Sequence, residues 1–243
     1  MVAIFRKEIG QFFSSITGYI TLIVFLVANG IFLFVLPDTS LLDYGYASLG
    51  SLFSLAPWLY LVLIPAITMR SFSEELSSGN MEIIFSKPVS LMQVTLGKYL
   101  AGLAVVAISL VPTLVYYYTI SHLSLPGEGP DQGAVAGSYA GLLLLGAGFT
   151  AIGIWTSSIS NNTITAFLIA AFVCCLLYWG FDALSSIPAL AQGAGYYIQM
   201  AGIRFHYASL SRGVIDTRDI IYFLSLIAGF LLLTRLQLLH HKN

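Results

Sequence analysis

From Gln132 to Phe181 the chain runs fifty residues without an Asp, Glu, Lys or Arg. A soluble domain is charged at about a quarter of its positions and would place about a dozen charges in such a stretch. In a bilayer the same stretch is two helical spans, each needing about 20 apolar residues. The polar string Ser157-Ser158-Ile159-Ser160-Asn161-Asn162-Thr163 divides it into spans over about Val135 to Thr156 and Ile164 to Phe181.

The rest of the chain agrees. Only 9% of its 243 residues are charged, 58% are hydrophobic, and the formal net charge is -1. Mean hydropathy is +0.87. A soluble enzyme, a disordered chain and a nucleic-acid binder are excluded, the last also by the absence of any basic excess for phosphates. Further spans cover Thr17 to Leu36, Ser51 to Met69, Tyr99 to Ser121 and Ile220 to Leu239. Pro57, Pro65 and Pro112 fall inside them, as membrane helices tolerate. The first run has no small-residue cleavage site after it and reads as a retained span. The expected fold is all-α integral membrane, one domain over residues 1–243 with six transmembrane helices. Leu184 to Ile203 is also twenty uncharged residues, but Pro188, Gln192, Gly193, Gly195 and Gln199 make it a poor lipid-facing helix, so an interfacial or re-entrant hairpin competes with a seventh span.

With six spans and the N-terminus inside, the inner segments hold Arg6, Lys7, Arg70, Lys87, Lys98, Arg235 and Lys242, and the outer ones Arg204, Arg212 and Arg218. That asymmetry sets the orientation of the first half. The loops carrying Asp38, Asp43, Glu128 and Asp131, with no Lys or Arg, face out.

Two inner segments stand out. Val2, Phe5, Ile9, Phe12 and Ile16 recur at helical spacing, with Arg6, Lys7, Gly10, Gln11 and Ser14 on the other face. This is an amphipathic helix at the membrane surface, either a plain anchor or a contact for a cytoplasmic partner. The loop over 70–90 holds Glu74, Glu75 and Glu82 among Phe72, Met81, Ile83, Ile84 and Phe85. Phe72 and Leu76 share one face of a short helix that Gly79 ends in the left-handed conformation. Asn80 caps a second through Phe85, Pro88 stops it, and Ser90 with Gln93 forms a capping box for the next span. A helical hairpin presenting both acidic and apolar side chains is expected, which reads better as a docking surface than as a solvated loop.

The Met-Arg-Ser-Phe-x-x-Glu block at Met69, the Gly79-Asn80-Met81-Glu82 block and Ser86-Lys87-Pro88-Val89-Ser90 resemble the first cytoplasmic loop of ABC-2 type permeases, with Asn80 where that family usually has threonine. More narrowly, Leu42-Asp43-Tyr44-Gly45, Leu55-Ala56-Pro57-Trp58, Leu96-Gly97-Lys98-Tyr99, Thr150-Ala151-Ile152-Gly153-Ile154 and Ser211 to Asp219 resemble the gliding-motility-associated ABC transporter permease subunits (GldF). The resemblance implies both termini in the cytoplasm, in the bacterial inner membrane, and external re-entrant helices over 183–219. It implies a connecting helix over 1–16, with Arg6, Lys7 and Glu8. It implies a coupling loop over 70–90, with Arg70, Phe72, Glu74, Glu75, Gly79, Met81, Glu82, Lys87 and Pro88 as candidate contacts with a separate ATPase subunit. Two ATPase copies (GldA-like) would hold ATP and Mg. The other permease would be a second copy or a GldG-like membrane subunit. The residues agree on the division of labour. A phosphate-binding loop needs Gly-x-x-x-x-Gly-Lys, and the one Gly-Lys, at Gly97-Lys98, has Met92 five positions earlier. No cofactor is therefore expected in this chain.

Among the remaining features, Gly137, Gly141 and Gly148 permit close helix approach, within the subunit or at a seam between permeases. Arg204, His206, Arg212, Asp216, Arg218 and Asp219 would gate an exit or pair with one another. Asp182 ends the fifth span. Trp58 and Tyr116 to Tyr118 read as belt or packing residues, and Cys174-Cys175 as core. No metal-ligand pattern is present. Two other classes compete: an intramembrane enzyme, which lacks a His or Asp near mid-span, and an autonomous ion-coupled transporter, which would need buried charges at membrane depth.

Overall fold

The structure, a computed structural model, describes residues 1–37, 40, 48–86, 89–125, 129–187 and 195–242. Among these the fold is helical throughout. The elements are α1 (Val2–Ser14), α2 (Ile16–Phe34), α3 (Gly50–Thr68), α4 (Arg70–Ser77), α5 (Asn80–Ser86), α6 (Leu91–Leu110), α7 (Leu114–Leu123), α8 (Gln132–Ile159), α9 (Thr163–Cys175), α10 (Phe181–Ser185), α11 (Gly195–Met200), α12 (Ile203–Leu210) and α13 (Thr217–Lys242). Among the described residues six stretches are long and apolar enough to cross a membrane: 16–34, 50–77, 91–123, 132–159, 163–185 and 217–242. The protein is a multi-pass membrane protein.

The helices begin and end where local chemistry directs. Asp131 caps α8 by accepting from the Gly133 and Ala134 amides, and Asn162 caps α9 by accepting from those of Ile164 and Thr165. The polar string thus divides the charge-free stretch as expected. Ser90 and Gln93 form the anticipated capping box on α6. At Pro112 the helix tightens into a 3-10 turn over Val111–Thr113 before continuing as α7. There the Val111 amide takes the Ile108 carbonyl, and the Tyr139 hydroxyl donates to the Thr113 carbonyl at 3.1 Å, so the carbonyls around the proline keep donors. A π turn at Leu176–Gly180 carries α9 into α10 and stacks Trp179 on Trp58, ring centroids 4.0 Å apart.

α8 is the hub. Its span is 78% buried inside the protein, against 22% for those of α2, α9 and α13, whose exposed Ile, Val, Leu and Phe side chains are left for lipid. Lipid tails give apolar helices no reason to associate, so close approach must do it. Gly153 stands so near α3 that a Cβ there would lie 2.1 Å from the Thr68 hydroxyl oxygen. Gly137 and Gly141 face the Gly213 carbonyl and Leu210, and Gly148 faces Leu226 and Phe223 of α13. All three glycines meet their neighbours within the chain.

At one end of α8 lies the short-helix segment: α10, α11 and α12, of five, six and eight residues, each too short to cross. Residues 188–194, including Pro188, Gln192 and Gly193, lie outside the described residues, as do Asp38, Asp43 and Glu128. At the other end of α8 lie the α4–α5 hairpin, α1 and the end of α13, where His241 approaches the Ser158 carbonyl at 3.3 Å. The N-terminal helix ends at Ser14, two residues short of the expected boundary, because Ser15 is extended and Ile16 already opens α2.

Candidate functional site

The hairpin is built on the end of α3. α4 follows Met69 directly and closes with Gly79 at φ 71, the left-handed conformation that glycine adopts without cost. The Ser78 amide and hydroxyl both reach the Glu74 carbonyl, at 3.1 and 2.7 Å. Asn80 is the first residue of α5 rather than the cap before it. Lys87 and Pro88 lie outside the described residues, as do the Ile83 and Ile84 side chains.

The first turn of α4 is tied to α8 by one hydroxyl. Ser157 accepts from the Phe72 and Ser73 amides, at 2.9 and 3.2 Å, and donates to the Met69 carbonyl at 3.0 Å. A helix leaves its first amides unpaired, and here a residue 85 positions away pairs two of them. Sequence reasoning read Ser157 only as part of a span boundary.

The apolar side of the hairpin is not presented outward as expected. Phe72 is 0% exposed and Met81 4%, in a small core with Val94, Ile154 and Leu238 from α6, α8 and α13. Among the described side chains of the hairpin the exposed ones are polar, including Asn80, Glu82 and Arg70, which pairs with the half-buried Glu74 at 3.5 Å, while Leu76 and Phe85 are half-buried.

Behind that face is a group of four charges. Lys98, two turns into α6, is only 2% exposed, although hydropathy places it in the loop before the third span. Its ammonium meets Glu8 of α1 at 2.8 Å, Glu75 of α4 at 3.0 Å and the Ser71 carbonyl, with the Phe72 ring 4.9 Å away. The ammonium donates to Glu8 and to the Ser71 carbonyl, while the Glu75 oxygen pairs with it by charge without a hydrogen bond. Glu75 turns its second oxygen to Lys7, 2.8 Å away. Burial lowers the proton affinity of Lys7, but Glu75, with Glu8, outweighs it and holds that ammonium above its ordinary 10.5. Two cations and two anions alternate, so the group is neutral. Breaking a buried pair by removing one partner costs about 3–5 kcal/mol. On the rim Gln11 donates to Glu74 at 3.4 Å, and a cavity of about 660 Å³ opens between α1, the start of α2 and α4. Arg6 is exposed on α1.

At the opposite end the six residues read as gate candidates are mostly engaged locally. Arg204 pairs with Asp182, which also accepts from Gln199 at 2.8 Å. His206 and Asp219 are buried together at 2.7 Å, with Ser209 on the second Asp219 oxygen and the Tyr222 ring stacked 3.9 Å from the imidazole. Arg212 donates to the Ala208 carbonyl, and Asp216 accepts from the Arg218 amide. These contacts join α10, α11, α12 and α13 to each other.

Comparison with known proteins brings one finding. A family described as ABC-2 family transporter protein matches residues 2–230, nearly the whole chain. No curated protein matches it.

Proposed function

The chain belongs to the ABC-2 family of transporter proteins and is a transmembrane permease subunit; on that premise we propose that a separate ATPase subunit docks on the accessible face of α4–α5 and drives it. The observation that carries this is the two-sidedness of the hairpin. Phe72 and Met81 are locked into the bundle, and Arg70, Glu74 and Glu82 are left accessible on the hairpin. Such a charged, accessible surface suits a charged partner. Arg6, Lys7, Arg70, Lys98, Arg235 and Lys242 belong to this same end, which supports placing it, with both termini, on the cytoplasmic side of the bacterial inner membrane.

In this reading two ATPase copies hold ATP and Mg, and two permease chains enclose the path. Nucleotide-driven closure of the ATPase pair moves the hairpins, and the bundles rock between inward- and outward-open arrangements in an exporter. The narrower resemblance assigns the complex to the gliding-motility-associated class, with a GldA-like ATPase and a GldG-like membrane subunit or a second copy as the other half. An autonomous ion-coupled transporter is less well supported. Among the described residues the buried Glu, Lys and Asp side chains are Glu75, Lys98 and Asp219; Lys98 is two turns into α6, the other two are close to helix ends, and all three are paired.

Gentle purification from the native host followed by mass identification tests the proposal. An ATPase should remain at about one copy per permease chain, and a second membrane chain beside it would identify a heterodimer. Glu74→Lys with Glu82→Lys should release the ATPase while leaving the permease folded, because both side chains are on the accessible face. Glu75→Lys is the wrong probe, since it breaks the buried charge group. A chain that emerges alone and moves solute in vesicles without nucleotide would sink the proposal.

A further inference from the structure

α4 packs its backbone mainly against α8 and α9. α1 and α6 reach it by side chains, through the Phe72 core and the four charges. Among the described residues Lys98 is the buried member of the Lys and Arg set. It is also the place where α1, α4 and α6 meet at one atom, its Nζ. Apolar contacts slide at little cost, but an ammonium only 2% exposed and held by converging oxygens does not, since each lost oxygen leaves its charge less compensated. α1 is in turn laid along α6, with Ile4 3.0 Å from where a Gly97 side chain would begin.

We propose that Lys98 is the joint through which movement of the α4–α5 hairpin reaches α6. The proposal rests on the reading of that hairpin as the ATPase contact. A push on α4 displaces Glu75 and the Ser71 carbonyl; Lys98 follows them and carries α6, while α1 follows α4 directly through Lys7 on Glu75. Lys98 is a positioning residue that touches neither nucleotide nor cargo.

The test uses the complex of the chain with its co-purifying ATPase in lipid nanodiscs. Amide hydrogen exchange is compared without nucleotide and after trapping with ATP, Mg and vanadate. In the unaltered complex, trapping changes exchange in α4, α6 and α1 together. Lys98→Met with Glu8→Gln removes one cation and one anion, so no charge is left unpaired and the fold is retained. In that variant α4 still responds, and α1 with it through the Lys7–Glu75 pair, while the response of α6 falls by about tenfold, within the usual range of coupling between sites. An undiminished response in α6 overturns the proposal.

A second arm needs no partner. In the isolated chain Lys98→Met alone leaves two carboxylates, Glu8 and Glu75, to share the single ammonium of Lys7, and exchange in α1 and α4 should rise together by about tenfold or more. Unchanged exchange there means that Lys98 ties nothing, and the proposal fails. If no ATPase stays with the unaltered chain, the reading beneath the proposal fails and takes the transmission role with it. The second arm distinguishes that outcome from failure of the joint itself.

Discussion

At the scale of residues, single side chains at the hairpin do work that their neighbours in sequence do not. Ser157→Ala should strip two buried amides of α4 of their acceptor and cost about 1–2 kcal/mol, the usual range for a lost helix cap. The adjacent Ser158→Ala should cost much less, because that hydroxyl only returns to the Trp155 carbonyl of its own helix. Thermal midpoints in detergent, read beside exchange of the 70–77 amides, separate the two. The Lys7–Glu75 pair predicts a pH response. Because the Lys7 affinity is raised, its contribution is fully present below about 10.5 and is lost as pH rises through the higher folded value. α1 should therefore stay docked from neutral pH to about pH 10 and loosen only beyond it, as fluorescence of a label on α1 would report. Little of this was legible in the sequence. Lys98 looked like a loop cation because the apolar run begins at Tyr99, and Ser157 looked like a boundary residue because its partner is far along the chain.

At the scale of elements, the legible parts are those whose cause is local. Span limits follow from where polar residues interrupt apolar runs, and the Ser90–Gln93 box and the Gly79 turn follow from residues within three positions of each other. What stayed hidden depends on neighbours. Phe72 and Met81 carry no mark saying that α6, α8 and α13 will cover them, so an apolar hairpin read as exposed. The glycine pattern was seen at Gly137 and Gly141 but not at Gly153, whose contact with α3 is the tightest of the set against a side chain. Gly153→Ala should force α3 and α8 apart and cost about 1–3 kcal/mol, as overpacking does. Gly10→Ala on α1 meets open space and should stabilise that helix by up to about 1 kcal/mol. Unfolding of the two variants in one detergent checks both signs.

At the scale of the whole molecule, the number of spans and the all-helical class were legible because a bilayer admits few alternatives. The family match over residues 2–230 agrees with them. The arrangement of those helices around α8 was not legible, since hydropathy says only that a segment is apolar and not which neighbour it meets. α8 is unbroken from Gln132 to Ile159, with the end of α12 seated against Gly141 and the turn at Gly213 against Gly137 near its start, and α4 capped by Ser157 near its finish. At 1.5 Å per residue it is a bar about 42 Å long. A tilt of only about 5° about one end sweeps the other through about 4 Å on that length. The two faces of the membrane are thus joined by a lever with a fixed arm, and a small angular error at the inner face arrives magnified at the outer one.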